Sequence, residues 1–300
     1  MPRTSKPAVR SSLDPSLDTS SLDRVQRNGL DGATDEELEE IASIVEGLDR
    51  LTTCPFRTLY PDKGPLRREL YWWAVAFWRA GLQHKERGLM AANQVGKTLA
   101  AAFEVTAHMT GDYPPWWPGY RFDGPTKWWI AGDTKETTRE ILQTVMLGPV
   151  DGVDSGDWRG MLPADRVTKH TRKSSISKAV DAFWVSHARG GSSVGQFRSY
   201  DQGRRAFQGV PLSGGVWMDE EPPEAEIPKR EDGSGASGDI YSECLTRTAA
   251  TNGMLLWTFT PLRGLTPFIA HQLETAVTVR NDGVEVPARS VYFPDDEANG

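Results

Sequence analysis

Hydrophobic and polar positions along the chain change repeatedly between two spacings, one typical of strands and one typical of helices. Short apolar runs predict strands at 87–91, 127–131, 182–187, 195–200, 215–218 and 254–260. Apolar positions three or four residues apart predict helices at 35–50, 66–80, 97–109, 134–146 and 239–249. Strands that alternate with helices predict an α/β fold, in which helices cover both faces of a mainly parallel sheet.

The same pattern predicts where the folded domain begins. Residues 1–34 are polar and rich in Ser, Asp and Arg, so they lack the apolar surface for a core and predict a flexible tail. We predict a short amphipathic helix within residues 35–57, with Thr34 as its N-cap, and one domain over residues 58–300. The predicted buried face of the helix at 97–109 consists of Leu99, Ala102, Phe103 and Thr106.

Composition narrows the classes of protein that fit. The chain has 300 residues, 38% of them hydrophobic and 25% charged, which is enough for a globular core. Its net charge of −7 argues against a protein that coats DNA, because such proteins are basic overall. Two cysteines, Cys54 and Cys244, are too few for a disulfide framework or a zinc site. The longest aromatic-apolar run, Tyr71–Trp78, is too short to span a bilayer, so we expect a soluble intracellular protein without a membrane partner.

Residues 91–98 have the spacing of a phosphate-binding loop between a predicted strand and a predicted helix. They are Ala91, Ala92, Asn93, Gln94, Val95, Gly96, Lys97 and Thr98, with Ala91 where the strict motif has glycine. In such a loop the backbone N–H groups surround phosphate oxygens, and the helix dipole adds to the attraction. Gly96 permits close approach, Lys97 places a cation on the β- and γ-phosphates, and Thr98 supplies a hydroxyl for Mg²⁺. The alternative is an ordinary turn with an exposed lysine.

A second candidate element is an apolar strand that ends in three acids. Mg²⁺ prefers oxygen ligands, so Asp219 is our candidate to hold the metal. Glu220 is our candidate to orient and polarise an attacking water. Glu221 is its rival, although in an extended strand it points to the opposite face from Glu220. The alternative interpretation is that these acids are simply solvated at the end of a strand. Taken together with the phosphate-binding loop, however, the three acids predict nucleotide hydrolysis.

Five segments, taken in order, resemble the ATPase region of the large terminase subunits of tailed bacteriophages. They are MAANQVGKTLAAAFEVTAHMTGDYPPWW, FRSYDQGRRAFQG, VWMDEEPP, DIYSECLTRT and LLWTFTPLRG, within residues 58–268. The resemblance implies a P-loop NTPase fold of the ASCE or RecA-like type, with ATP and Mg²⁺, and a motor that drives duplex DNA into a viral procapsid. It also implies a portal protein and a small terminase subunit as partners, a homo-oligomeric ring, and a location in the host cell cytoplasm.

The resemblance also assigns roles to matching residues. Residues 91–98 become the Walker A loop, Asp219 the Walker B metal residue and Glu220 the catalytic base. Thr258–Pro261 become the segment that couples the γ-phosphate to movement, with Thr260 as the sensing hydroxyl, although a strand that ends in a turn also explains this segment. A helicase-like P-loop ATPase and a nucleotide-binding switch that does not package DNA are the alternative functions.

The chain departs from the family pattern at one arginine. Many large terminases have an arginine four residues before the Walker A lysine, where this chain has Asn93. An arginine that acts on the transition state must then come from elsewhere. Our candidates are Arg204 and Arg205, followed by Arg247 and Arg263. A surface or structural ion pair is the alternative role for each of them.

Three further segments bear on the function. No glutamine stands at 65–69, where the family presents one to adenine, so the preference for ATP over GTP is open. Residues 225–238 are rich in Gly, Ser and charges and predict an inserted mobile loop. The family's RNase H-like nuclease domain has no counterpart here, and the acidic residues at 294–297 are not that domain, so we expect no nuclease activity from this chain.

Candidate DNA contacts lie in the basic, hydroxyl-rich stretch 168–178. Its cations suit phosphate contacts, and a solvated loop is the other interpretation; they are Lys169, Arg172, Lys173 and Lys178. Trp116 and Trp117, between prolines, predict a packed plug, with a nucleic-acid stacking surface as the alternative. The five histidines have no spacing typical of metal ligands.

Overall fold

The computed structural model describes residues 54–153, 158–222 and 240–262, together with 34, 35, 38, 39, 41, 264, 266, 268–270 and 290–292. Nearly all of the predicted tail, the predicted insertion at 225–238, Arg263 and the acidic segment at 294–297 lie outside the described residues. Of the helix predicted at 35–50, the described residues 35, 38, 39 and 41 are helical. The Leu38 N–H donates to the Thr34 carbonyl (3.0 Å), which agrees with a helix that starts after Thr34.

A mostly parallel sheet of eight described strands forms the centre of the structure. The strands are β1 (Glu86–Met90), β2 (Lys127–Gly132), β3 (Val167–Arg172), β4 (Val180–Ser186), β5 (Ser192–Ser199), β6 (Gly215–Asp219), β7 (Met254–Phe259) and β8 (Ser290–Tyr292). Their order is β3-β4-β5-β2-β6-β7-β1-β8, and among the described pairs those of β4 with β3 and β5 are antiparallel. The predicted α/β fold is confirmed, and β7 lies between the strand before the loop and the strand that ends in the acids.

The helices of the described structure vary in length and regularity. They are α1 (Pro55–Thr58), α2 (Trp72–Ala80), α3 (Lys97–Thr110), α4 (Lys135–Thr137), α5 (Thr144–Leu147) and α6 (Ile240–Ala249), with short 3₁₀ segments at Arg68–Tyr71, Ala164–Arg166, Tyr200–Gln202 and Arg204–Phe207. The helix predicted at 134–146 exists, but its middle part, Thr138–Gln143, is π-helical. None of the helices in this described part of the chain is long and apolar enough to cross a bilayer.

Two hydrophobic clusters lie on opposite faces of the sheet, because neighbouring residues of a strand point to opposite sides. Trp128 on β2 belongs to the cluster that contains Trp78 of α2 and Phe103 of α3. Trp129, the next residue, belongs to the other cluster, which includes Phe207 and residues of α6. Helices therefore cover both faces, as the alternation of elements predicted.

Two predictions at this level are wrong. No strand was predicted in the basic stretch 168–178, yet its first part lies in β3. This strand is at the edge of the described sheet and carries polar side chains, so it lacks the apolar signal on which the prediction depends. Leu99, predicted on the buried face of α3, is 41% exposed, because it lies in the first turn of the helix, beside the exposed loop residues 92–94.

The helix after the loop is tied to the strand before it by a buried ion pair. Arg87 on β1 donates to both carboxylate oxygens of Glu104 on α3 (2.7 and 3.2 Å), and both side chains are fully buried. His108 lies 3.3 Å from the same carboxylate. Burial by itself raises the pKa of the Glu104 carboxyl, but Arg87 and His108 outweigh it and hold that pKa below its ordinary value.

Replacing Arg87 with methionine is expected to lower the free energy of unfolding by roughly 3–5 kcal/mol, because the Glu104 carboxylate is left buried without its cation. The matched control is Arg57→Met, since the ion pair of Arg57 with Asp165 (2.8 Å) is about half exposed. Exposed pairs of this kind contribute about 0–1 kcal/mol. Denaturant unfolding measures both variants, and equal losses contradict the role given to the buried pair.

Candidate nucleotide-binding site

The predicted phosphate loop is a tight connection between β1 and α3. Two of its residues have left-handed backbone, Gln94 with φ 65° and Gly96 with φ 94°. A Cβ at Gly96 would have only the Trp73 ring within 4 Å, at 3.9 Å, so glycine is needed there for its backbone conformation and not for space. Helix α3 begins directly after Gly96, which places its N-terminal N–H groups at the loop.

Lys97 points back into this loop. Its ammonium donates to the carbonyl oxygens of Ala91 (2.9 Å) and Ala92 (2.7 Å) and to the Thr260 hydroxyl (2.9 Å). The residue is only 7% exposed. Burial lowers the pKa of Lys97, while the carboxylates of Glu220 and Asp219 act in the opposite direction. The three acceptors are neutral, so anionic phosphate oxygens are stronger partners for this cation.

Asp219 stands at the carboxyl end of β6, opposite the first turn of α3. Its Oδ1 accepts hydrogen bonds from the hydroxyls of Thr98 (3.1 Å) and Thr258 (2.6 Å). The Trp217 indole N–H donates to the Thr258 hydroxyl (2.7 Å), which fixes the direction of that hydroxyl. Burial raises the pKa of the Asp219 carboxyl to about 6, although the two hydroxyls act against this. A hydroxyl and a carboxylate in contact form an all-oxygen donor set, which fits Mg²⁺.

Glu220 departs from the extended conformation of the strand before it. Its φ is 66°, a left-handed value that costs a non-glycine residue about 1–3 kcal/mol. The Glu220 N–H donates to the Thr258 carbonyl (2.7 Å), and its Oε2 accepts from the Thr260 N–H at 3.5 Å. Glu221, the rival for the base, is buried and accepts a hydrogen bond from the Thr266 hydroxyl. The contacts of the two glutamates therefore favour Glu220 as the acid that faces the loop.

Thr260 connects the loop to the acids. Its hydroxyl donates to the Asn93 side-chain oxygen (2.7 Å) and accepts from Lys97. The backbone N–H of the same residue faces Glu220. The Thr260 side chain thus contacts both Lys97 and a residue of the loop. The residues present thus fit a magnesium-bound nucleotide in both charge and donor type.

Comparison with known proteins identifies the family of the chain. A family model described as "Terminase large subunit, T4likevirus-type, N-terminal" matches residues 89–292, which is more than half of the chain. The chain belongs to the terminase large subunit family. The resemblance stated from the sequence is confirmed.

Relatives of this terminase chain differ in how much they share with it. It is 30% identical over 262 residues to the terminase large subunit of Salmonella phage P22, a match that covers 82% of this chain and 48% of the relative. The chain thus spans about half the length of that curated relative. Among solved structures, the large terminase ATPase domain of Thermus phage P74-26 matches with 17% identity and a TM-score of 0.47, over 75% of this chain and 81% of that one.

The candidate arginines of this terminase chain are in different situations. Arg204 pairs with Glu243 of α6 (2.8 Å), which also lies 3.5 Å from Arg247. Arg205 is exposed and has no ion-pair partner among the described residues. Arg263 lies outside the described residues. Arg204 and Arg247 thus have the structural ion pairs that were the alternative interpretation, whereas the described residues show no such pair for Arg205.

The candidate DNA contacts are mostly engaged within the protein. Lys173 donates to the Phe197 carbonyl (2.9 Å), and Lys178 pairs with Asp151. Arg172 donates to the Lys178 carbonyl (2.7 Å). Lys169 is exposed on β3, with its ammonium 4.8 Å from the centre of the Trp184 ring. Of the predicted set, Lys169 is therefore the cation best placed to meet a phosphate backbone.

The tryptophan pair lies in a packed aromatic environment. Trp117 is 5% exposed, its indole N–H donates to the Tyr120 carbonyl (2.9 Å), and its ring lies against Trp78. Trp116 packs on Phe103, so the predicted plug is confirmed. The described residues contain no group of three or more His, Cys, Asp or Glu that could hold a metal ion.

Two residues of the site have no local signal in the sequence. Thr258 was noted only as part of the coupling segment, yet its hydroxyl is the nearer of the two that bind Asp219. Tyr200 was not singled out, although its hydroxyl contacts the backbone of both acids. The only signal for either was membership of a segment that resembles the family, because the contacts join residues far apart in sequence.

Proposed function

We propose that this chain is the ATP-hydrolysing motor domain of a viral terminase large subunit. The observation that carries the proposal is the convergence of Lys97, Thr98, Asp219, Glu220 and Thr260 at the carboxyl ends of three neighbouring strands. The loop and the first turn of α3 supply N–H groups and a cation for phosphates. Thr98 and Asp219 supply oxygen ligands for Mg²⁺, which when bound neutralises charge on the phosphate oxygens.

Glu220 acts as the general base in this proposal. Its carboxylate accepts a proton from the water whose oxygen bonds to the γ-phosphorus, while the bond from that phosphorus to the bridging oxygen breaks and ADP leaves. The left-handed backbone turns the carboxylate toward Thr260 and the loop. Lys97 exchanges its carbonyl and hydroxyl partners for phosphate oxygens when nucleotide binds. Thr260 then loses its lysine partner, so the hydroxyl reports whether the γ-phosphate is present. Asn93 fills the position of the missing loop arginine, and its amide oxygen holds the Thr260 hydroxyl.

The wider role rests on family membership. We propose that the motor translocates duplex DNA into a procapsid in the host cell cytoplasm, as a homo-oligomeric ring with a portal protein and a small terminase subunit. Lys169 on β3 is the best candidate for contact with the DNA backbone. That the chain does not cut DNA also stays a prediction, which incubation of supercoiled plasmid with the protein and Mg²⁺ tests.

Steady-state release of phosphate from ATP and from GTP, with and without Mg²⁺ and linear duplex DNA, tests the proposed function. We expect Mg²⁺-dependent turnover that rises when duplex DNA is added. Binding of nucleotide without turnover would favour a switch, and separation of the strands of a forked duplex would favour a helicase-like ATPase. The ratio of the ATP and GTP rates measures the base preference, which the missing glutamine leaves open.

Arg205→Ala is expected to lower turnover at least about tenfold without changing the melting temperature, because its proposed role is to stabilise the transition state and its side chain is exposed rather than packed in the fold. The matched variant is Arg204→Ala, which also removes the ion pair with Glu243 and should therefore lower the melting temperature. Hydrolysis and thermal unfolding are measured on both, at protein concentrations that span assembly. If both single variants and the double variant hydrolyse ATP at the normal rate, the arginine that acts on the transition state is neither Arg204 nor Arg205.

A further inference from the structure

Tyr200, which the proposed chemistry does not use, lies directly beside the backbone of the two acids. Its hydroxyl is 3.2 Å from the carbonyl oxygen of Asp219 and 3.0 Å from that of Glu220. A phenol has one proton to donate, so the two carbonyls share it. We propose that Tyr200 is a positioning residue, which holds the Glu220 backbone in the conformation that turns its carboxylate toward the nucleotide; this rests on the proposed role of Glu220 as base.

The geometry of the strand end shows why such a support is needed. In an extended strand successive side chains point to opposite faces, so Asp219 and Glu220 could not both face the loop. The left-handed backbone at Glu220 breaks this alternation. The carboxylate of Glu220 then reaches the Thr260 N–H, while Asp219 keeps its contacts with Thr98 and Thr258.

A left-handed glutamate persists only where its surroundings hold it. The Glu220 N–H donates to the Thr258 carbonyl (2.7 Å). The Tyr200 hydroxyl binds the Asp219 carbonyl oxygen, which belongs to the same peptide unit as this N–H, and the Glu220 carbonyl oxygen, which belongs to the next peptide unit. The peptide units on both sides of the Glu220 Cα are thereby fixed, which determines where its side chain points.

Tyr200 is itself held rigidly. It is 1% exposed and packs in the hydrophobic cluster that includes Met218 and Phe207. It opens the 3₁₀ segment Tyr200–Gln202, in which the Gln202 side chain accepts from the Ser199 N–H (3.1 Å). A buried ring on a capped turn has little conformational freedom, so its hydroxyl is held in one position against the backbone of Asp219 and Glu220.

Tyr200→Phe, compared with Tyr241→Phe, tests the proposal. Tyr241 belongs to the same cluster and its hydroxyl contacts Glu86 (2.5 Å), away from the acids, so this control loses a hydroxyl of similar burial. We expect kcat for ATP to fall about tenfold or more in Tyr200→Phe, with KM nearly unchanged, because a misplaced base affects the chemical step and not binding. A kcat no lower than that of the control overturns the proposal.

A second readout does not depend on hydrolysis. In a crystal structure of Tyr200→Phe, the Glu220 backbone is expected to leave the left-handed region; an unchanged φ overturns the proposal even if wild-type protein has no turnover and the proposed function fails. Should Tyr200→Phe not fold alone, it is combined with Glu220→Gly and with Glu220→Ala. Glycine adopts this backbone freely, so Tyr200→Phe should lower the melting temperature less in the Glu220→Gly background than in the Glu220→Ala background, and equal losses overturn the proposal.

Discussion

Lys97→Met is expected to abolish measurable ATP hydrolysis, a loss of about 10²–10³-fold or more, since it removes a preorganised charge from the site of the transferred phosphate. Lys97 is the charged group of the loop itself. Its ammonium donates to the carbonyls of Ala91 and Ala92, which keeps the charge inside the proposed phosphate-binding loop. Methionine has a similar stem without the charge, so the helix that begins at this residue should remain folded.

Release of phosphate and binding of a fluorescent ATP analogue are both measured on this variant. The control is Lys135→Met, because Lys135 is partly exposed and lies 3.9 Å from Asp201, away from the loop. We expect the control to hydrolyse ATP like wild type. If Lys97→Met retains turnover close to that of wild type while the control does so too, the Walker A assignment is wrong.

The sequence predicted the site best where neighbouring residues specify it. The apolar strand, the glycine and the amphipathic helix around residues 91–98 are adjacent, and each obeys a local rule. The same holds for Asp219, which ends a run of apolar residues in a strand buried on both faces. That the loop and the acids meet follows from parallel strands, whose carboxyl ends share one edge of the sheet.

The other features of the site depend on contacts between residues far apart in sequence, which local sequence patterns do not predict. The hydrogen bond of Thr258 to Asp219 joins residues 39 positions apart, and that of Tyr200 to Glu220 joins residues 20 apart. The same is true of the ion pair between Arg204 and Glu243, which gives Arg204 a structural contact that Arg205 does not have among the described residues. Strand β3 was missed for a different reason. An edge strand needs backbone pairing but little apolar surface, so its polar sequence gave no periodic signal.

Glu220→Gln is the second variant with a large expected effect. Glutamine has nearly the shape of glutamate and can keep the contact with the Thr260 N–H, but it does not accept a proton from water. We therefore expect turnover to fall roughly 10²–10⁴-fold, the usual contribution of a general base, while nucleotide binding stays near that of wild type. Phosphate release and equilibrium binding of ATP, measured on the same preparation, separate the two effects.

Glu221→Gln is the matched control, since it makes the same chemical change one residue along the chain. Glu221 is buried against the Thr266 hydroxyl, so its substitution should affect stability more than turnover. If Glu221→Gln is the inactive variant and Glu220→Gln turns over, the base lies one residue further on, and the left-handed backbone at Glu220 then serves to turn Glu221 instead. If neither variant loses turnover, no glutamate of this strand end is the base.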